Sequence, residues 1–319
     1  MAINTLATAT LFERNLDLLA VQESVTGWMD ANAGQVKYNG GAEVKIPKMS
    51  VNGLGDYDRD DGYVQGGVSL AYETRTMTQD RGRKFQLDAM DVDESDFIPT
   101  AARVMGEFQR EKVIPEIDAY RISKVVTAAI ANDAAHNTGQ TEYNYTPAAA
   151  TIIAKMKDAI KYMRDDAGFT GQLVFHVNGD VDEALGLAGL EKIRAVNFAQ
   201  GGIITEVPAI DRCPIIQTTK QRMYSAITTL DGKTDGQKAG GYTKAVSALD
   251  VNFVLIARQV PIAITKQDKM KIFTPDENQD ADAWKMNYRR YHDLWVLDNK
   301  APGIFVNFKD AKPSGGSGQ

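Results

Sequence analysis

A chain of 319 residues, 43% apolar and 24% charged, has ordinary globular composition and the length of about two domains. Its net charge of -6 argues against a protein that coats itself in nucleic acid, because neutralising phosphates takes clustered Lys and Arg. The single cysteine, Cys213, excludes a disulfide within one copy, and no uncharged apolar run approaches the roughly 20 residues of a membrane span, so no membrane partner is expected.

The N-terminus, MAINTLATATLFERNLDLL, lacks a basic n-region, and Glu13 and Arg14 interrupt its apolar residues, so it does not read as a signal peptide. Leu11, Leu16, Leu18, Leu19 and Val21 are loosely helical in spacing and predict an arm with a short helix from Thr8 to Gln22. From Ala42 the period changes to two. Val44 and Ile46 alternate with Glu43, Lys45 and Pro47, and VSLAYETRTMT alternates through Val68, Leu70, Tyr72, Thr74 and Thr76. Two such arms around a polar, glycine-rich middle predict a long β-hairpin between Glu43 and Asp88, short of large apolar side chains and marginal alone. Pro47 cannot donate to a ladder, which places its strand at an edge or a bulge.

The middle of that hairpin reads DYDRDDGYVQGG, and its alternate acids at Asp56, Asp58 and Asp60 invite a calcium loop. With Asp56 as position one, the turn glycine of an EF-hand would fall on Asp61 and the closing bidentate acid on Gly67. Both defining positions fail, so the expectation is a solvated hairpin tip with no metal.

Beyond it, Asp91, Asp93, Glu94 and Asp96, with Ser95 as a cap and Pro99 in the first turn, announce a helix. Val104 and Phe108, then Ile122, Val125, Val126 and Ala129, keep helical spacing, and Pro115 must kink or split the helix. About 30 residues of it would span about 45 Å, the dimension of a spine. Pro147 to Asp166 reads as an amphipathic helix, QLVFHV as a strand, NGDVDEALGLAG as a turn into a short helix, and IITEVPAIDRCPIIQTT as two strands. DGKTDGQKAGGYTK is a loop or a boundary. The last third is mostly β, through VNFVLI, VPIAITK, KMKIF, AWKMNYRRYHDLWVL and GIFVNF, before the flexible tail KPSGGSGQ.

Chemistry-bearing residues are sparse. His136, His176 and His292 show no metal spacing. His292 adjoins Asp293, but neighbours in a strand leave opposite faces and cannot orient each other, so a structural role is expected. Cys213, before Pro214 in an apolar strand, reads as a buried inert thiol. No glycine-rich phosphate motif is present, and no cofactor is expected. Arg81, Arg83 and Lys84 form one basic cluster and Arg289 and Arg290 another; solvated faces or salt-bridge partners at a subunit contact explain both better than phosphate binding does. In AWKMNYRRYHDLWVL, Trp284, Met286 and Tyr288 share one face and Lys285, Asn287 and Arg289 the other, the pattern of a half-buried sheet rather than a base-stacking platform. No active site emerges, and the chain does not read as an enzyme.

Taken in order, GDYDRDDGY with QDRGRKFQLDAMDVDE, VIPEIDAYR, LVFHVNGDVDEAL and NQDADAWKMNYRRYHDLWVLDNKAPGIF resemble the extended loop, spine helix, axial domain and closing β segment of the major capsid proteins of tailed bacteriophages. These share the Hong Kong 97-type fold with encapsulin shells. The resemblance covers nearly the whole chain and lies in the joint order of these segments, none of which is a catalytic motif. It implies an α+β fold divided into an N-terminal arm (1–41), extended β-hairpin loop (42–88), spine helix of a peripheral domain (89–140), axial domain (141–244), returning β segment of the peripheral domain (245–311) and flexible tail (312–319). It implies a virion protein, assembled in the host cytoplasm into pentamers and hexamers around double-stranded DNA, with a portal protein. Only about 40 residues precede the hairpin, so it further implies a separate scaffolding protein. Tyr57, Arg59, Tyr63 and Arg81 are the expected inter-subunit contacts. The rival readings are an encapsulin-like compartment that stores a protein cargo, and a hydrolase or metal-dependent enzyme built on the acidic loop.

Overall fold

The computed structural model describes residues 24–35, 37–38, 43–57, 59–60, 62–90, 98–189, 194–200 and 203–313. The predicted helix from Thr8 to Gln22, the acidic helix start from Asp91 to Asp96, Asp58, Asp61 and the tail from Ser314 lie outside these residues.

Strands β1 (Lys37–Tyr38), β2 (Glu43–Val51), β3 (Val68–Thr76) and β4 (Gln79–Asp88) come first. Helices α1 (Ile98–Phe108) and α2 (Ile114–His136) follow, joined by a π-helical turn at Gln109–Val113. Next are β5 (Thr141–Glu142), α3 (Ile152–Lys161), β6 (Leu173–Val177), α4 (Gly179–Ala188), β7 (Arg194–Gln200), β8 (Ile203–Ile210) and β9 (Cys213–Gln217). The chain ends through β10 (Ile227–Thr229), β11 (Tyr242–Lys244), β12 (Val251–Ala257), β13 (Pro261–Phe273), β14 (Ala283–Val296) and β15 (Ile304–Phe308).

A seven-stranded sheet runs β5-β15-β12-β6-β9-β8-β7, a three-stranded sheet β13-β14-β4, and β1-β2-β3 form a ribbon of their own. This corrects the expected partition in three places. Residues 245–311 are not one returning segment of a peripheral domain, because β12 pairs with β6 (Phe253↔Val177 to Ala257↔Leu173) and with β15. VNFVLI and IFVNF are unbroken apolar runs buried at every position, which suits central strands covered on both faces. Only β13 and β14 return to the smaller sheet, and the predicted strands VPIAITK and KMKIF are one strand with a bulge between Thr265 and Gln267. The hairpin ends at Thr76 rather than Asp88, since β4 pairs along β14 from Ala283↔Asp88 to His292↔Gln79. Strand β7, which pairs antiparallel with β8, was not foreseen.

The third correction concerns the arm. Residues from Ser24 to Gly34 are part of the body, with Trp28 and Met29 fully buried in the main core beside Phe175, Phe253 and Phe308. Trp28 donates its indole N–H to His176 Nε2 at 3.2 Å, and Asn32 donates to the carbonyls of Arg258 and Pro261.

Helix α2 is the spine, and Pro115 shapes its entry. Proline lacks an amide hydrogen and crowds the carbonyl four residues back. The chain resolves this one residue earlier with a π-turn, in which the Ile114 amide donates to the Gln109 carbonyl five residues back. From Ile117 to Ser123 every residue is buried, so this stretch of α2 has no solvent face. One side packs Ile122, Val125, Val126 and Ala129 into the main core, while Tyr120 reaches β14.

A helix buried all round must satisfy its charges internally. Asp118 accepts from Ser24 Oγ (2.8 Å), the Val25 and Thr26 amides (3.2 Å each), Thr26 Oγ1 (2.5 Å) and Arg222 (2.9 Å). Arg121, 1% exposed, donates to the Thr26 carbonyl and grips both oxygens of Asp30 at 3.0 and 2.7 Å. The two residues fasten the N-terminal segment to the spine. Removing the Asp118 carboxylate leaves buried donors and the Arg222 charge without their acceptor, a loss of about 3 kcal/mol. Asp118→Ala should lower the urea midpoint accordingly and raise hydrogen exchange over Val25–Met29, while Asp310→Ala, near the C-terminal end, should leave that exchange unchanged.

Candidate assembly surface

The β2–β3 ribbon is paired without interruption from Glu43↔Thr76 to Val51↔Val68, and Asn52 N–H closes onto the Gly67 carbonyl at 3.2 Å. Its root is anchored. Val44 and Ile46 are buried against Met77, Ile262 and Ile264, and Tyr291 donates its hydroxyl to the Met77 carbonyl. Asp293 bolts the turn into β4 by accepting from the Thr78 amide (2.8 Å) and hydroxyl (3.0 Å) at one oxygen and from the Tyr120 hydroxyl (2.7 Å) at the other.

Residues opposite one another in an antiparallel pair share a face, and side chains alternate along each strand. Val44 and Ile46 therefore lie on the face of Arg75 and Glu73. Met49 and Val51 lie on the other, with Leu70, Val68 and Tyr72. The apolar face of the ribbon thus inverts along its length: the proximal face packs on its own subunit, and the distal one is uncovered. Met49 is 67% exposed, Val51 65%, Val68 71% and Leu70 56%, and at the tip Leu54 and Tyr63 are 107% and 90% exposed. The expectation of few large apolar side chains is corrected here, because short side chains at the odd positions hide a stripe that only the register reveals. Strand β3 is also an edge of its sheet, with one row of backbone groups unpaired by any described strand.

Of the four predicted contact residues, Tyr57, Arg59 and Tyr63 stand together at this exposed tip, the two tyrosine rings meeting edge to face at 5.0 Å. Arg81 stands elsewhere, on β4. Its guanidinium grips Glu116 of the same subunit at 2.7 and 3.2 Å and donates to the Leu230 and Gly241 carbonyls, closing the ends of the 231–241 loop. The structure thus commits Arg81 inside its own subunit. Arg83 does the same for the Lys238 carbonyl, so this loop is pinned to β4 and is not a domain boundary. Gly82 between them is required, because a Cβ there would sit 2.8 Å from the Tyr288 carbonyl oxygen. Arg289 and Arg290 likewise pair inside the subunit, with Asp80 and Asp268.

The remaining reactive groups are structural. Cys213 is buried, and burial pushes its thiol pKa up. His292 packs edge to face on Tyr120 at 5.7 Å, and Asp293 holds Thr78 and Tyr120 rather than the histidine. Among the described residues no three His, Cys, Asp or Glu side chains gather as a metal site, and no helix is long and apolar enough to cross a membrane. The network around Asp118 and Arg121 escaped the sequence reading, although two charges three apart within the otherwise apolar middle of a helix were a signal.

No family model and no curated protein matches the chain. Solved structures do. The capsid of the cyanophage P-SCSP1u superimposes with a TM-score of 0.52 at 9% identity, over 84% of this chain and 83% of that one. The asymmetric unit of the bacteriophage PhiM1 mature capsid gives 0.51 at 13% identity, over 84% and 82%. A virus-like particle from Pyrococcus furiosus gives 0.51 at 11% identity, over 93% and 98%. The chain has the Hong Kong 97-type capsid fold. In this version of the fold, α2 is the spine helix and the β2–β3 ribbon the extended loop.

Two buried histidines give this capsid fold an acid limit. Burial pushes the pKa of His176 down to about 3, and burial followed by the Arg290, Arg121 and Arg81 charges holds His292 well below its ordinary value. The unfolded chain protonates both near pH 6.5, while the native chain keeps them neutral. Their contribution is therefore intact above pH 6.5 and declines as pH falls towards 3, by about 1.4 kcal/mol per pH unit for each histidine. In urea titrations between pH 6 and pH 4.5, His176→Gln should start less stable and lose stability with a shallower slope; an unchanged slope would show that His176 is protonated in the native state.

Proposed function

We propose that the chain is the major capsid protein of a tailed bacteriophage, building pentamers and hexamers into an icosahedral shell around double-stranded DNA. One observation carries the reading. A chain with this fold over most of its length projects an arm whose distal face is apolar and uncovered in the single subunit. An exposed apolar stripe of this size on a subunit otherwise well packed marks a protein interface. Each copy would lay its hairpin across a neighbour, with Tyr57, Arg59 and Tyr63 in the contact. The role is structural rather than enzymatic, and it places the protein in the virion after assembly in the host cytoplasm, with a scaffolding protein and a portal protein as further partners.

An encapsulin-like compartment is the second reading, supported by the virus-like particle from Pyrococcus furiosus, whose coverage is 93% of this chain and 98% of that one. Purified particles separate the two: DNA inside supports the first, an enzyme cargo the second, and electron micrographs without closed shells would overturn both.

The hairpin test is direct. Replacing Leu54 to Gln65 by a short Gly-Ser turn removes the tip but not the root packing of Val44, Ile46 and Met77. The variant should remain folded, with near-normal circular dichroism and thermal midpoint, and should form no closed shells or only fragile ones. Shells of unchanged yield and stability would sink the proposed role of the tip, and an unfolded subunit would place the tip in the core.

A further inference from the structure

A cavity of about 310 Å³ opens between the β4–β14 strands, the π-turn before α2 and the glycine-rich loop at 231–241. Tyr288, Arg290 and His292, alternate residues on one face of β14, line its wall. The Tyr288 hydroxyl, Arg290 Nε and His292 Nδ1 are buried and have no hydrogen-bond partner. The first two are donors in any state, so the wall is short of acceptors. At the rim stand Arg83, Lys112 and Lys233, exposed and without an ion-pair partner among the described residues. The carboxylates that also line the cavity are committed elsewhere: Glu116 to Arg81, Asp80 to Arg289, and Asp231 to Thr234 and the Lys233 amide within its own loop. The site is cationic, rich in donors and partly walled by the aromatic rings of Phe108 and Tyr288.

We infer that this cavity receives the acidic hairpin tip of a second copy of the chain, the segment DYDRDDGY. This inference rests on the shell reading, in which copies overlap, and gives the overlap a receptor. Charge and composition match: the tip presents exposed carboxylates at Asp56 and Asp60 beside the Tyr57–Tyr63 pair, opposite rim cations and aromatic rings. Geometry excludes the subunit's own tip. The ribbon is paired over nine positions away from its root, about 27 Å of extended chain, whereas the cavity begins at Asp80, on the far side of Met77 and Thr78. The basic clusters first expected to meet a neighbour's acid, Arg81 with Glu116 and Arg289 with Asp80, are neutralised at home, which leaves this rim as the matching surface.

A synthetic peptide spanning residues 52–67, cyclised through its ends and fluorescently labelled, tests this by anisotropy against the full chain. The variant with the Gly-Ser tip serves as a second titrant in which no resident tip competes. Saturable binding is expected, weakened at least tenfold by Lys112→Glu with Lys233→Glu, weakened by raising salt from 50 to 300 mM, and lost when the four aspartates of the peptide become asparagine. Absence of binding, binding indifferent to the two lysines, or a cavity that takes inorganic phosphate but not the peptide would overturn the inference. In the full chain, Lys112→Glu with Lys233→Glu should block assembly, and adding Asp56→Lys with Asp60→Lys should restore it; wild-type yield from the first variant, or no rescue by the second, overturns it as well. If the wild-type chain forms no particles, the shell reading fails, and the peptide titration still decides the receptor.

Discussion

The spine helix runs through the interior without a solvent face at its centre, and the rest of the molecule is arranged around satisfying it. Between Ile117 and Ser123 two of seven buried residues are charged, and each recruits a separate piece of chain. Asp118 collects the backbone and hydroxyls of Ser24 to Thr26 together with Arg222, and Arg121 collects Asp30. Buried charges of this kind add little net stability over apolar packing, but a misplaced partner is heavily penalised. They therefore fix where the N-terminal segment crosses the helix. Tyr120, between them, ties the same helix to Asp293 and so to the turn at which the hairpin leaves the body. Core, N-terminal segment and hairpin root thus meet within one turn and a half of helix.

The hairpin extends that logic outward. Its proximal apolar face is covered by its own subunit and its distal apolar face by nothing in the single chain. A ribbon with one uninterrupted apolar face would serve one surface; a ribbon whose apolar face inverts serves two, one on each side. Root burial holds the arm in place without a partner, and the uncovered stripe gives the arm a reason to find one.

The order of elements was legible in the sequence because it rests on local signals. Period-two alternation gave the two hairpin arms, and Pro115 gave the interruption of the spine, where the π-turn now sits. Sheet membership is long-range, and there the reading failed unless burial left a mark. That mark existed: VNFVLI and IFVNF are continuous apolar runs, which belong to strands covered on both faces, whereas AWKMNYRRY alternates and lies at the centre of the small sheet. Trp28 carried no such mark, since an isolated aromatic in a polar stretch gains its place only from His176 and the core it meets. Of the proposed contact residues, Tyr57, Arg59 and Tyr63 follow from hairpin geometry alone. Arg81 could not be assigned from sequence, because its partner Glu116 lies 35 residues away on another element.

The acid at the tip now has a physical role beyond solubility. A long arm with an open edge strand and an exposed apolar stripe is an aggregation hazard before it is an interface. Carboxylates at Asp56 and Asp60 sit where two arms would first touch, so like charges oppose tip-to-tip pairing. The same carboxylates are attracted to a cationic rim, and that attraction is screened over about 10 Å at 0.1 M salt. Charge therefore selects among encounters, and apolar contact along Met49, Val51, Val68 and Leu70 supplies the affinity once the selected encounter has formed. A hairpin with the stripe and no acid would pair with any exposed edge, and one with the acid and no stripe would be released by salt.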